Sequence, residues 1–139
     1  VTNWAAANGY DISAGDGSGK AEDHPVQSVT WYEAVKWANA RSEREGRTPC
    51  YYTSATQAPV YWRGIVDVPT SGVKWTGCGY RLPKEAEWEK AARGGVSGRR
   101  FHWRDTDTIQ HVRANYKSNA GYSYDTSPTR GFHPTFATG

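Results

Sequence analysis

Residues 79–95 read GYRLPKEAEWEKAARGG, and they hold a complete helix together with its start and its stop. Tyr80, Arg81 and Leu82 lead in, and Pro83 stands where proline suits the first helical position. Glu85, Glu87 and Glu89 place negative charge in the N-terminal half, and Arg93 places positive charge at the end, so both termini suit the helix dipole. Ala86, Trp88, Ala91 and Ala92 supply the apolar contacts. Gly94 and Gly95 offer the left-handed residue that closes a helix. These features predict a helix over 83–93 with one large anchor, Trp88, and no catalytic group.

A second helix is predicted near 30–44. Thr30 caps it, and Glu33 three residues on completes a capping box. Trp31, Ala34, Val35 and Ala38 recur at helical spacing on one face, while Lys36, Asn39, Arg41, Glu43 and Arg44 lie largely off it. Gly46 stops the run. Trp31, Val35, Leu82, Trp88 and Ala91 are expected to be buried together, because both helices present these residues on one face, and Trp88→Ala then costs about 3–5 kcal/mol.

The remaining segments read as turns and short extended pieces. Residues 1–10 predict a helix ending at Asn8-Gly9. Residues 11–22, DISAGDGSGKAE, predict a loop. Asp11 and Asp16 suggest calcium only superficially, because the EF-hand spacing with its closing Glu is absent. Between 47 and 78, Tyr51-Tyr52, Val60-Tyr61-Trp62 and Val73-Lys74-Trp75 predict short strands broken by Pro59, Gly64, Pro69 and Gly72. His24 before Pro25 has no second ligand nearby in sequence and reads as structural. His102 and His111 flank Asp105 and Asp107, but their spacing fits no closed metal site.

Composition narrows the function classes. The 139 residues fit one domain, and 7 Trp, 9 Tyr, 15 Gly and 7 Pro describe aromatic anchors held between irregular segments. The net charge of +3 is mild and carries no long basic run, which argues against nucleic acid as a partner. No apolar run reaches the length of a membrane span. The chain begins at Val1 and has no Met, so it reads as part of a longer protein and its compartment is not legible, an extracytoplasmic one being compatible. Cys50 and Cys78 form no metal motif; spacing alone leaves open a disulfide or two separate thiols.

Several separated motifs resemble the formylglycine-generating enzyme (sulfatase-modifying factor) family. The stretch RLPKEAEWEKAARGG is similar to the family's R-L-P-T-E-A-E-W-E-x-A-A-R-G-G, with Lys84 where relatives have Thr. HPVQSVTWYEAVKWANA, beginning at His24, resembles another family segment. Phe101-His102-Trp103-Arg104-Asp105 resembles the F-P-W-G-[DN] turn, and Ala114-Asn115-Tyr116 resembles the A-N element. The resemblance runs from Trp4 to Gly139. It implies an α+β, C-type-lectin-like (sulfatase-modifying-factor) fold, incomplete here, with two main helices, short strands and much irregular structure. It also implies a structural calcium ion, with the Asn115 side chain and the Tyr116 carbonyl among its oxygens.

The resemblance does not fix the reaction. Members that convert a sulfatase cysteine to formylglycine use oxygen and a copper(I) ion held by two closely spaced cysteines, and soft thiolates suit that ion. Those cysteines lie in the family's C-terminal part, and Cys50 and Cys78 match neither. The chain by itself is thus expected to be inactive, with no catalytic residue. Three readings compete: part of an oxidase, a non-catalytic module that binds a protein or peptide ligand, or a piece that needs a complementary chain.

Overall fold

The structure, a computed structural model, describes residues 1–13, 15–19, 21 and 24–132. Ala14, Lys20 and Glu22 of the predicted loop and residues 133–139 of the family resemblance lie outside that set. The chain forms two compact units, Val1–Leu82 and Pro83–Gly139.

The first unit is built on α1 (Thr2–Ala7) and α2 (Trp31–Arg44). The capping box at α2 is present as its sequence implies. Thr30 Oγ1 accepts the Glu33 N–H at 3.2 Å, and the Thr30 N–H donates to the Glu33 carboxylate at 2.6 Å. The helix buries two stripes instead of one. Val35, Ala38, Asn39 and Ser42 are buried, and so are Lys36 and Ala40 on a neighbouring stripe. Two layers of chain account for this. Val35 and Ala38 join Cys50, Tyr51, Tyr61 and Val73 in one cluster. Ala40 joins Ala5, Tyr10 and Ile12 in another.

The segment 47–82 wraps α2 almost without regular structure. Its single helical element is a three-residue 3₁₀ turn, Thr70–Gly72. The predicted strands appear as isolated antiparallel bridges, Tyr51 to Val73 and Tyr52 to Val60. Proline and glycine stop each ladder after one pair. A disulfide joins Cys50 to Cys78 across 28 positions. Closing a loop of that length stabilises a chain by roughly 3–4 kcal/mol in the chain-entropy account. At the exit, a Cβ on Gly79 would stand 2.9 Å from the Arg47 Cβ, so only glycine allows this close approach.

The second unit carries α3 (Glu85–Arg93). The helix starts two residues later than Pro83, with Lys84 as its N-cap. The Lys84 N–H donates to the Glu87 carboxylate at 2.8 Å. The reciprocal bond is missing, because an ammonium has no lone pair with which to accept. Gly94 closes the helix in the left-handed region, at φ 54°.

The predicted shared core is corrected here. Of Trp31, Val35, Leu82, Trp88 and Ala91, only Val35 is buried, while Trp88 is 64% and Trp31 45% exposed. No residue of α3 is buried. Beyond α3, residues 95–132 form turns tied by two isolated bridges, Ile109 to Asp125 and Ser118 to Gly131. Among the described residues, no helix is long and apolar enough to cross a membrane.

Candidate functional site

A groove in the first unit has a volume of about 400 Å³, and Ile12, Val26, Val29, Ala34, Trp37 and Leu82 line its apolar surface. α2 supplies Ala34 and Trp37 because the cap at Thr30 fixes where the helix begins. The extended piece before it supplies Val26, which is 65% exposed. The acidic residues at the margin, Asp16 and Glu33, already serve the backbone. Asp16 accepts the Ser13 N–H at 2.7 Å, and Glu33 closes the α2 cap. Beside the groove, the Arg41 guanidinium lies 5.5 Å from the Trp37 ring centre and 4.1 Å from that of Tyr80. Among the described residues that line the groove there is no His or Cys. Such a surface can accept apolar side chains.

Behind the groove, buried polar groups hold the irregular chain. Asn39 is fully buried. Its Oδ1 accepts from the N–H groups of Cys50 and Tyr51, both at 3.0 Å, and its Nδ2 donates to the carbonyls of Tyr51 and Tyr61. Lys36, also buried, pairs with Asp11 and donates to the Gly64 carbonyl at 3.2 Å. Burial alone would raise the Asp11 carboxyl, but the Lys36 ammonium and the Gly64 N–H outweigh it and hold it below the usual carboxylate range.

Asn115 and Tyr116 sit in the second unit, beside a polar hub. Asn115 is exposed and Tyr116 half-buried. The Tyr116 carbonyl lies 3.2 Å from His111 Nε2, which also faces the Gly131 carbonyl at 3.1 Å. The Tyr116 hydroxyl donates to Asp125 at 2.7 Å. Asp125 also accepts from the Ser118 hydroxyl and from the N–H groups of Asn119 and Ser127. Burial would raise this carboxyl, yet those donors, the Tyr116 hydroxyl first, press it far below its ordinary range.

An amide oxygen and a carbonyl are hard donors that suit calcium, and the Tyr116 carbonyl keeps a second lone pair beside His111. The pair therefore fits the ion chemically as two of the six or more oxygens it takes. Asp125 is saturated by its own donors. His102, His111, Asp105 and Asp107 do not converge. His102 packs edge-on to Trp103, Asp105 pairs with Arg113, and Asp107 accepts the Arg100 N–H. Cys50 and Cys78 are bonded to each other, so their sulfurs do not fit a cuprous site.

Sequence reasoning missed Asn39, Lys36 and Asp125. Asn39 stands four residues after Val35 and three before Ser42, which places an amide in a buried stripe; that spacing was the available signal. Asp125 is followed by Thr126 and Ser127, a pattern that favours a carboxylate bonding the backbone two residues on.

Comparison with known proteins places these features. The sulfatase-modifying factor enzyme 1-like domain matches residues 2–136. The chaperone protein LppX of Paenibacillus barcinonensis is 38% identical over 118 residues, covering 80% of this chain and 40% of that protein. The formylglycine-generating enzyme of Streptomyces coelicolor is 44% identical over 83 residues, 54% of this chain and 22% of that one. The solved structure of CarF superposes with a TM-score of 0.54 at 30% identity, over 87% of this chain and 50% of that one. The chain thus spans half or less of the length of each of these relatives. With a match that runs almost end to end, the chain belongs to the sulfatase-modifying factor enzyme 1-like domain family.

Proposed function

We propose that this chain is a polypeptide-recognising part of its domain and carries no oxidation centre of its own. The apolar groove around Trp37 carries the first half of the reading, since exposed Val26, Val29 and Leu82 suit the side chains of an extended peptide. The names of two relatives support it, a chaperone protein and a formylglycine-generating enzyme. The second half rests on the Cys50–Cys78 bond. Sulfurs joined to each other cannot act as a pair of thiolates. Titrating the chain with a fluorescent peptide bearing Cys-x-Pro-x-Arg, the substrate motif that the resemblance to formylglycine-generating enzymes implies, and with an unrelated apolar peptide, tests the reading. Saturable binding that is lost in Trp37→Ala is expected. Absence of binding of both peptides up to about 1 mM, the weakest affinity worth the name at roughly −4 kcal/mol, would overturn it.

A second reading makes the whole protein an oxidase, favoured by the 44% identity to the Streptomyces coelicolor enzyme. Incubating the whole protein with copper, reductant, oxygen and the same peptide separates the two. Aldehyde formation detected by mass spectrometry supports the oxidase; binding without conversion supports the recognition module. In either case we propose the Asn115 side chain and the Tyr116 carbonyl as calcium oxygens. Calcium should raise the melting temperature of the whole protein, and Asn115→Ala should abolish that rise. An equal rise in the variant would sink the assignment.

A further inference from the structure

We propose that the Cys50–Cys78 bond supplies a decisive part of the first unit's stability, so that this segment is matured by a disulfide-class oxidant outside a thiol-reducing compartment. The bond sits where the unit has least regular structure. Segment 47–82 contains only a 3₁₀ turn and isolated bridges, so few repeating hydrogen bonds offset the entropy of ordering it. Cys50 is fully buried at the centre of the main cluster. Its N–H donates to Asn39, and its carbonyl accepts from the Lys74 N–H at 2.7 Å. Cys78 leads into two contacts that hold the segment's end, one to the segment's own start and one to α2. Gly79 N–H donates to the Thr48 carbonyl at 2.8 Å, and Tyr80 N–H donates to Ser42 Oγ at 2.8 Å. One covalent bond therefore ties the start of the wrapped segment, inside the core, to its exit.

The chemistry balances with a single co-reactant. Two thiols lose two protons and two electrons as the S–S bond forms, and the oxidant's disulfide is reduced to two thiols. In reverse, an attacking thiolate reaches Cys78 first, because Cys78 is half-buried and Cys50 is not exposed at all. It forms a mixed disulfide there and releases Cys50. Persistent structural bonds of this kind belong to oxidising compartments.

The test compares oxidised and reduced forms of the same unaltered chain in urea. These are the only two cysteines in the sequence, so a reductant has no other target in it. Aerobically purified chain, alkylated in denaturant, should show no thiol and should yield a Cys50–Cys78 cross-linked peptide. Dithiothreitol should then raise the unfolding equilibrium constant by roughly 100- to 1,000-fold, the loop-closure effect of a ring this size. Partial reduction with glutathione under native conditions should leave the mixed disulfide on Cys78 and the free thiol on Cys50. Two free thiols in the folded, aerobically purified chain would overturn the proposal. So would a urea midpoint that stays put on reduction.

Discussion

Asn39 grips Tyr51 by both of its backbone groups: Oδ1 accepts the Tyr51 N–H at 3.0 Å while Nδ2 donates to the Tyr51 carbonyl at 2.8 Å. A side chain thus gives Tyr51 what a neighbouring strand would give it. The same amide serves the Cys50 N–H and the Tyr61 carbonyl. Removing it strands buried backbone groups, each costing about 1–3 kcal/mol when unsatisfied. Asn39→Ala should therefore destabilise the chain by about 3 kcal/mol or more. Asn39→Asp should also fail, because a carboxylate cannot donate to the two carbonyls. Urea unfolding checks both, and an Asn39→Ala midpoint near that of the wild type would refute the role.

Lys36 and Asp11 form the other buried link, holding residues 11 and 64 against α2. Deleting one partner of a buried pair costs about 3–5 kcal/mol. The Asp11 side chain is 39% exposed, however, and solvent screening reduces that figure. Asp11→Asn, which leaves the lysine buried without its counter-charge, should cost about 2 kcal/mol on this discounted scale. Lys36→Met should cost less, since the methionine stem keeps the packing. A double-mutant cycle in which the two effects add without coupling would show that the pair does not act as a unit.

Acid should loosen the turn around Asp125. Its carboxyl titrates below the ordinary carboxylate range when folded, because Tyr116, Asn119, Ser118 and Ser127 donate to the ionised form more than burial opposes it. A carboxylate depressed in this way adds stability at every pH above its unfolded value of roughly 3.9. That contribution is lost as pH falls through the lower folded value. Amide exchange at Asn119 and Ser127 should stay protected at pH 4 and rise only in stronger acid. In Asp125→Asn it should already be fast at neutral pH, and unchanged protection there would count against the hub.

The helices were legible because their signals are local. Thr30 with Glu33, and the paired Gly94 and Gly95, act within one turn, and α2 and α3 lie where those residues put them. The core was not, because burial depends on what covers a face. Lys36 and Asn39 looked like solvent-facing positions until two layers of chain closed over α2. Trp88 shows the opposite error. Its size and helical setting suggested an anchor, yet it is 64% exposed. Trp88→Ala should therefore change the stability of this chain by under about 1 kcal/mol, as surface substitutions do, and not by the 3–5 kcal/mol of a core tryptophan. Thermal unfolding decides between the two values. Asn115 and Tyr116 were singled out only by the family resemblance, since ligands supplied from distant positions leave no spacing to recognise.

The start of α3 gives the sharpest test of how sequence sets local structure. Thr30 and Lys84 cap their helices with almost the same backbone, at φ −77° and ψ 161° against φ −69° and ψ 159°. Each has a glutamate three residues on that accepts the cap's own N–H, at 2.6 Å in one and 2.8 Å in the other. Only Thr30 returns the bond, its Oγ1 accepting the Glu33 N–H. A threonine at 84 would place its hydroxyl oxygen equivalently before the Glu87 N–H, with no backbone change required. It would also remove a positive charge from the positive end of the helix dipole. Lys84→Thr should thus stabilise α3 by about 1 kcal/mol, the usual worth of an N-cap acceptor. Lys84→Ala removes the charge without adding the acceptor and isolates the dipole contribution, so the difference between the two variants measures the hydrogen bond. Helicity of the 79–95 peptide by circular dichroism, alongside thermal unfolding of the chain, would read that difference. Equal values for the threonine and alanine variants would show that the cap geometry at Lys84 does not support the missing half of the box.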